Sequence, residues 1–405
     1  MKKVLIISYY FPPNAGAHVQ RVTKFIKYLS CFGYEPVILT NKNKTERKDL
    51  NFLNDVINSR VYYAADFGKF IPGTLKKLFS KFFQPDKIIN WRLTAVPQAL
   101  KIIKEENIDL IFVSVPPHSM SSIASEISVK SKIPLVIDFR DEWITYPLFK
   151  EKEYSTINKR MYYEVISSCS ALTTVNETLK RRIKTDLIKN RIHKKISPIF
   201  NGFDIMDLPN DIKKADSKKL KICYNGRFKK ISDPKIFFRM LTGLIKSGSI
   251  NINEIEFICM DDKSNEKWLK DFPGLKEITT FTGYLPLKKS YDIINDCDIG
   301  LILLTNYGES SAFPLKMFDY LALDKPIIAF VDKEDELTDF LKKYKASEIF
   351  FTEDENFNDI RVIDFFKKTM NGDLKPNQEL KKKFNRKKQT EKLAEVFNKV
   401  LDLTI

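Results

Sequence analysis

Glycine and histidine are scarce in this chain, with 13 and 3 copies in 405 residues. So few glycines leave no Gly-x-Gly-x-x-Gly fingerprint after any apolar strand, which excludes the usual NAD-type site. His18, His118 and His193 share no close spacing, and a histidine-built metal centre is excluded. The five cysteines (Cys31, Cys169, Cys223, Cys259, Cys297) are scattered without metal-ligand or redox spacing, and read as reduced core residues of a cytoplasmic protein. No run of about 20 apolar residues occurs, so no transmembrane helix is expected. The opening Met1–Tyr10 has a basic start and a short apolar run but no small-residue cleavage site. It reads as a first strand, not a signal peptide.

What the chain has is length and an uneven charge. At 405 residues and 47.2 kDa it exceeds one ordinary core, and two domains are expected. A hydrophobic content of 43% with 30% charged residues describes a globular protein. Residues 1–200 carry 33 Lys and Arg against 18 Asp and Glu, a net +15, whereas residues 201–405 carry 35 against 34. Nearly all of the net +16 therefore lies in the first half, which points that half toward something anionic. Genomic lysine bias accounts for abundance, not for imbalance.

Apolar runs and helical stripes alternate. Val4–Ser8, Pro36–Thr40, Leu110–Ser114, Leu135–Asp138 and Leu172–Val175 read as strands. Val22, Phe25, Ile26 and Leu29 mark one helical face, Asn158–Ser168 marks another helix, and Ser119 is placed to cap a third. The turn Asn201-Gly202-Phe203-Asp204 and the polar run Asp207–Ser217 mark a boundary. A second series follows, with strands at Leu220–Tyr224, Glu256–Met260, Ile278–Thr282 and Ile299–Leu304, closed by Pro326–Phe330. Helices intervene at Pro234–Lys246, Leu287–Asn295 and Leu315–Leu323. The chain ends in an amphipathic helix with Leu393, Val396, Phe397, Val400 and Leu401 on one stripe. This alternation predicts an α/β protein with two doubly wound parallel sheets.

Four segments carry chemistry. Asp138-Phe139-Arg140-Asp141-Glu142-Trp143 follows an apolar strand, at the carboxyl edge where open α/β sheets bind ligands. So many charges are costly to bury for packing alone; a structural ion pair between Arg140 and a neighbouring carboxylate is the alternative. Gly16, between the first strand and its helix, lets backbone approach a phosphate, though a turn also needs glycine. Tyr224-Asn225-Gly226-Arg227-Phe228-Lys229-Lys230 sets an arginine fork and two lysines after a strand, suited to a phosphate or to a solvated basic turn. In Phe313–Ala322, Pro314 starts a helix and offers the amides of Leu315 and Lys316 to a diphosphate. Lys316 adds a charge, and Asp319 one turn on is placed for a ribose. A plain helix start with an acidic first turn reads the same way.

In order and spacing, these segments resemble the retaining glycosyltransferases of the GT-B fold, family 4-like, over nearly the whole chain. The carrying residues are Tyr9-Tyr10-Phe11-Pro12-Pro13 with Gly16, Asp138–Trp143, Asn201–Asp204, Tyr224–Arg227, Thr282-Gly283-Tyr284 and Pro314–Pro326. The resemblance implies two Rossmann-like domains facing a central cleft. Residues 1–205 form the acceptor-binding domain, residues 206–384 bind the nucleotide-sugar, and a helix in 385–405 returns to the first. It implies that Arg227 and Lys230 neutralise the diphosphate, aided by Gly16, by the amides of Leu315 and Lys316, and by Asp319 at the ribose. Arg140 falls where relatives carry a histidine near the transferred sugar, with Asp138 and Asp141 as catalytic-site carboxylates orienting it or the acceptor. The family places a carboxylate eight residues before Asp319. Here that residue is Ser311, with Glu309 two positions away, so Glu309, Ser311 and His118 are the candidate sugar contacts.

The implied activity is sugar transfer, with retention, from a nucleotide-sugar, UDP by family frequency. The implied acceptor is a glycan or a polyprenyl-diphosphate-linked saccharide, in bacterial surface polysaccharide (lipopolysaccharide or capsule) synthesis. No metal and no cofactor are expected, because side chains and a helix dipole neutralise the diphosphate. Thr74–Phe83 places Leu75, Leu78, Phe79 and Phe82 on one face beside Lys76, Lys77 and Lys81. That pattern fits an interfacial helix on an anionic membrane, at the inner face of the cell membrane, or an ordinary surface helix. A sugar-nucleotide epimerase and a degenerate, non-catalytic GT-B scaffold are the rival readings. Nucleic-acid binding is not expected, since the aromatics concentrate in strands and one amphipathic segment.

Overall fold

The structure, a computed structural model, describes residues 1–42, 47–66, 85–145, 156–212, 219–260, 263–305, 313–353 and 359–402. Two compact units result: Met1–Asn201 with Arg386–Ile405, and Gly202–Asn385.

The first unit holds seven parallel strands: β1 (Lys2–Ile7), β2 (Tyr34–Thr40), β3 (Arg60–Tyr63), β4 (Leu110–Val115), β5 (Leu135–Phe139), β6 (Ala171–Thr174) and β7 (Ile196–Pro198). They lie in the order β3-β2-β1-β4-β5-β6-β7. In β1 successive residues serve opposite faces: Leu5 and Ile7 join the core with Trp91 and Ile123, and Val4 and Ile6 join the core with Phe25 and Phe397. Both faces are covered, so the strand reads as an unbroken apolar run. The second unit holds six parallel strands: β8 (Leu220–Asn225), β9 (Ile255–Met260), β10 (Thr279–Gly283), β11 (Ile299–Leu304), β12 (Ile327–Val331) and β13 (Ser347–Phe351), in the order β10-β9-β8-β11-β12-β13. In both sheets the winding reverses beside the first strand, between β1 and β4 and between β8 and β11.

The interior strands and the edge strand β10 fall where the sequence predicts them; the edge strands β3, β7 and β13 do not. The second set does not close at Phe330, because β13 adds to β12, and β3 and β7 flank the first sheet. These edge strands are short and largely half-buried, so their sequences lack the apolar run that marks an interior strand. Ser119 is also not a cap. It is the first residue of the helix Ser119–Ser131, and its amide donates to Asp86 Oδ2 at 3.0 Å and its hydroxyl to Oδ1 at 2.6 Å. The capping carboxylate comes from 33 residues upstream, beyond any local pattern. No helix among the described residues is long and apolar enough to cross a membrane.

Candidate functional site

In the second unit the strand ends at the β8–β11 reversal define a corner, the usual ligand position of an open α/β sheet. Tyr224-Asn225-Gly226-Arg227 leaves β8 there. Gly226 has φ +138°, and its amide donates to Met260 O at 2.8 Å. A Cβ on Gly226 would sit 3.0 Å from Lys316 Nζ, so glycine is what lets the lysine lie across the turn. Lys316 rises from the start of the helix Leu315–Ala322, and its Nζ is 3.3 Å from the centroid of the Tyr224 ring. Pro314 precedes that helix and no side chain caps it. The strand-end turn and the helix start, 90 residues apart in sequence, therefore meet at one point. Arg227 and Lys230 lie exposed on the loop after β8, which Phe228 anchors by stacking on Tyr224 at 4.7 Å between centroids. Leu315 is half-buried beside Lys316.

Asp319 departs from the expectation of a carboxylate presented to a ribose. It is buried, accepting Asn225 Nδ2 at 3.3 Å and the Tyr291 hydroxyl at 3.1 Å. Its geometry braces Asn225, immediately before Gly226, from below. Tyr320 braces the same turn: its hydroxyl lies 3.2 Å from Cys223 O and from Leu301 O, and it accepts the Asn225 amide at 3.2 Å.

The corresponding corner of the first unit gathers residues from β1, β4 and β5. Gly16 precedes the helix Ala17–Leu29 with φ +126°, and a Cβ there would meet His18 Cε1 at 3.0 Å. The His18 ring therefore lies over the glycine and meets Tyr10 edge-on at 5.0 Å between centroids. Arg140 follows β5, half-buried. Its amide donates to Val115 O at 2.8 Å, its Nε to the same carbonyl at 3.3 Å, and its Nη2 to Pro116 O. His118 stacks on Trp143 at 4.8 Å with the rings 10° apart. Asp141 is exposed.

Asp138 is corrected by its surroundings. It is fully buried, and Arg21 grips it with Nη2 to Oδ1 and Nε to Oδ2, both at 2.8 Å. Ser114 donates to Oδ2 at 2.6 Å and Thr173 to Oδ1 at 2.7 Å. Such a carboxylate touches no substrate; it fixes the strands beneath the corner. The expected ion pair therefore exists, but Arg21 makes it and Arg140 does not. Burial drives the Asp138 carboxyl upward, yet Arg21, Ser114 and Thr173 outweigh it and hold the group below its ordinary value.

The remaining electrostatics leave one cation among neutral rings. Burial, then the Arg140 charge, pushes His18 down to about 4. Burial takes His118 to about 4 as well, with Asp86 opposing and Arg140 assisting. Burial draws Arg140 down to about 10, against Asp141 and Asp138 and with Arg21. At neutral pH both histidines are uncharged and Arg140 is charged.

Sequence reasoning missed Arg21, His18, Asn225 and Tyr291. Arg21 and Tyr291 act at separations of 117 and 28 residues with no local signature. His18 had a signal: a rare histidine two residues after the loop glycine. Glu309 and Ser311, and the expected membrane contacts Leu75, Lys76, Lys77, Leu78, Phe79, Lys81 and Phe82, lie outside the described residues. Asp296 and Asp298 are spaced like a metal-binding pair, but they precede β11 at the opposite sheet edge, where Asp298 Oδ2 accepts the Lys221 amide at 2.7 Å. Among the described residues no group of three or more His, Cys, Asp or Glu side chains could hold a metal ion.

Residues 19–206 match Glycosyltransferase Family 4. No curated protein matches the chain. Sucrose-phosphate synthase from Thermosynechococcus elongatus is similar at TM-score 0.68 and 11% identity, over 100% of both chains. Anabaena HepE, solved with UDP, is similar at TM-score 0.58 and 13% identity, over 100% of this chain and 98% of that one. UDP-GlcNAc 2-epimerase from Methanocaldococcus jannaschii is similar at TM-score 0.57 and 12% identity, over 98% and 99%. At such identities the likeness is one of fold, and that fold is GT-B.

Proposed function

From the GT-B fold and the match of residues 19–206 to Glycosyltransferase Family 4, we propose that the chain transfers a sugar from a nucleotide-sugar donor to a saccharide acceptor. The observation that carries this reading is the corner where Gly226, immediately before Arg227, meets Lys316 at a helix start that no side chain caps. Cation, backbone amides and helix dipole are the chemistry a diphosphate requires. Transfer builds positive charge on the sugar ring and negative charge on the departing diphosphate. Groups already fixed around that negative charge favour the transition state over the ground state. Arg227, Lys316 and the Leu315 amide bind the diphosphate in this reading, with Lys230 adding charge. Asp319 positions the turn through Asn225. Arg140, Asp141 and His118 serve the reacting sugars, and Asp138 fixes the strands beneath them through Arg21, Ser114 and Thr173.

We assign the nucleotide as UDP, in keeping with the UDP-bound Anabaena relative. Retention follows the family pattern, the donor phosphate taking the acceptor's proton, so no side-chain nucleophile is invoked. A lipid-linked acceptor in surface polysaccharide synthesis, worked on at an anionic membrane, suits the +15 of residues 1–200. The test is turnover of UDP-sugars with acceptor by the wild type, Arg227→Ala and Lys316→Ala. Each variant is expected to lose about 100-fold in kcat, the scale of one lost transition-state donor; unchanged turnover in both removes the assignment. The fold is shared with UDP-GlcNAc 2-epimerases. An isomerised sugar nucleotide formed without acceptor would favour that second activity.

A further inference from the structure

Arg140 is half-buried, and the charges of Asp141 and Asp138 act on its guanidinium. Its natural partner two residues earlier, Asp138, is claimed on both oxygens by Arg21. Its neighbour Asp141 is exposed, and among the described residues Arg140 makes no salt bridge. Instead the carbonyls of Val115 and Pro116 hold its fork in one orientation. A guanidinium held in one orientation and left without a salt bridge is placed to receive an anion. The groups around it include neutral rings, with the carboxylates of Asp141 beside it and Asp86 near His118. His18 and His118 are neutral at physiological pH, and the helix Ala17–Leu29 begins beside His18 with no capping side chain and no acidic residue in its first turn.

We propose that this corner of the first unit is a subsite for an anionic substituent, a carboxylate or phosphate, carried by one of the sugars the enzyme handles. Arg140 supplies the bidentate charge, and His18 with the adjoining helix start supplies neutral donors. The inference rests on the transferase reading and narrows it: the acceptor, or the transferred sugar, is acidic. A neutral sugar would forgo the charge-assisted contact with the guanidinium, so the site selects by charge as well as by shape.

Calorimetric titration of the full-length chain with glucuronic acid, glucose 6-phosphate and glucose tests the subsite. Each anionic sugar is expected to bind about tenfold or more tightly than glucose, as for a hydrogen bond to a charged group. Arg140→Gln should bring the ratio near one, and Arg140→Lys should restore part of it, which a merely structural arginine would not do. Equal binding of charged and neutral sugars by the wild type overturns the proposal, and so does a preference that survives Arg140→Gln. A second arm compares UDP-glucuronate with UDP-glucose. If Arg140→Gln weakens only the uronate, the acidic group is on the transferred sugar. If it weakens neither while free uronate binding falls, the acidic group is on the acceptor. Equal weakening of both means Arg140 reads the donor diphosphate, and the proposal falls. UDP itself, added in a thermal-shift measurement, reports on the transferase reading separately. Absence of any UDP stabilisation removes that reading, whatever the sugars do.

Discussion

Asp138 shows how differently a residue reads in sequence and in place. Beside Arg140 and Asp141 it looks like part of a catalytic constellation; in the structure it has no exposed surface and four hydrogen bonds. Removing it strands the Arg21 guanidinium in the core, where nothing else compensates its charge fully. Arg21 also donates to Ile199 O at 2.8 Å and to Phe200 O at 3.2 Å, so the segment leading out of β7 shares the damage. Asp138→Ala should therefore cost about 3–5 kcal/mol of stability, the scale of an orphaned buried charge, measured by urea unfolding. A loss below about 1 kcal/mol would mean that water reaches Arg21. Arg140 is the opposite case, because it is half-buried and its fork is oriented by the carbonyls of Val115 and Pro116, not by a carboxylate salt bridge among the described residues.

Among elements, the helix Leu315–Ala322 and strand β11 are fitted through one glycine. A Cβ on Gly300 would lie 2.4 Å from Cδ2 and Cγ of the Tyr320 ring, and that ring is fully buried. The close approach places the Tyr320 hydroxyl against the end of β8, where it accepts the Asn225 amide. Gly300→Ala must push the tyrosine or the helix away. It should cost about 1–3 kcal/mol, as overpacked cores do, and also weaken donor binding, because Asn225 precedes Gly226. Unfolding and UDP titration on the same variant check both. Stability lost with UDP affinity intact would separate the packing from the site. The apolar period revealed this strand and this helix, but nothing local in β11 says why its second residue is glycine.

For the whole molecule, the notable feature is the return of one late helix to the first unit. The helix Arg386–Asp402 belongs with the first unit, although the second unit precedes it in sequence. Leu393, Phe397 and Val400 enter the core beneath β1 and β4, with the Phe397 ring 5.3 Å from Tyr34 and 5.6 Å from Phe112. Asn398 accepts the Tyr34 hydroxyl at 2.6 Å. The first unit is thus complete only when this helix joins it. Phe397→Ala should cost about 3–5 kcal/mol, and proteolysis should show the loss within residues 1–201 and not in the second unit. Cleavage that rises first in the second unit would contradict this division.

The apolar runs fixed the interior strands, the helices between them and the amphipathic terminal helix, because burial on two faces or on one stripe leaves a period in the chain itself. The same reading found the loops that carry Gly16, Arg140, Arg227 and Lys316, because charge and glycine after an apolar strand are locally visible. Edge strands β3, β7 and β13 stayed hidden because half-buried strands leave no such run. Partnership was decided only in three dimensions: which arginine neutralises Asp138, which carboxylate caps Ser119, and why Asp319 faces Asn225 and Tyr291. These contacts join residues 28 to 117 positions apart. Their energy depends on distance and burial, which composition and spacing do not encode.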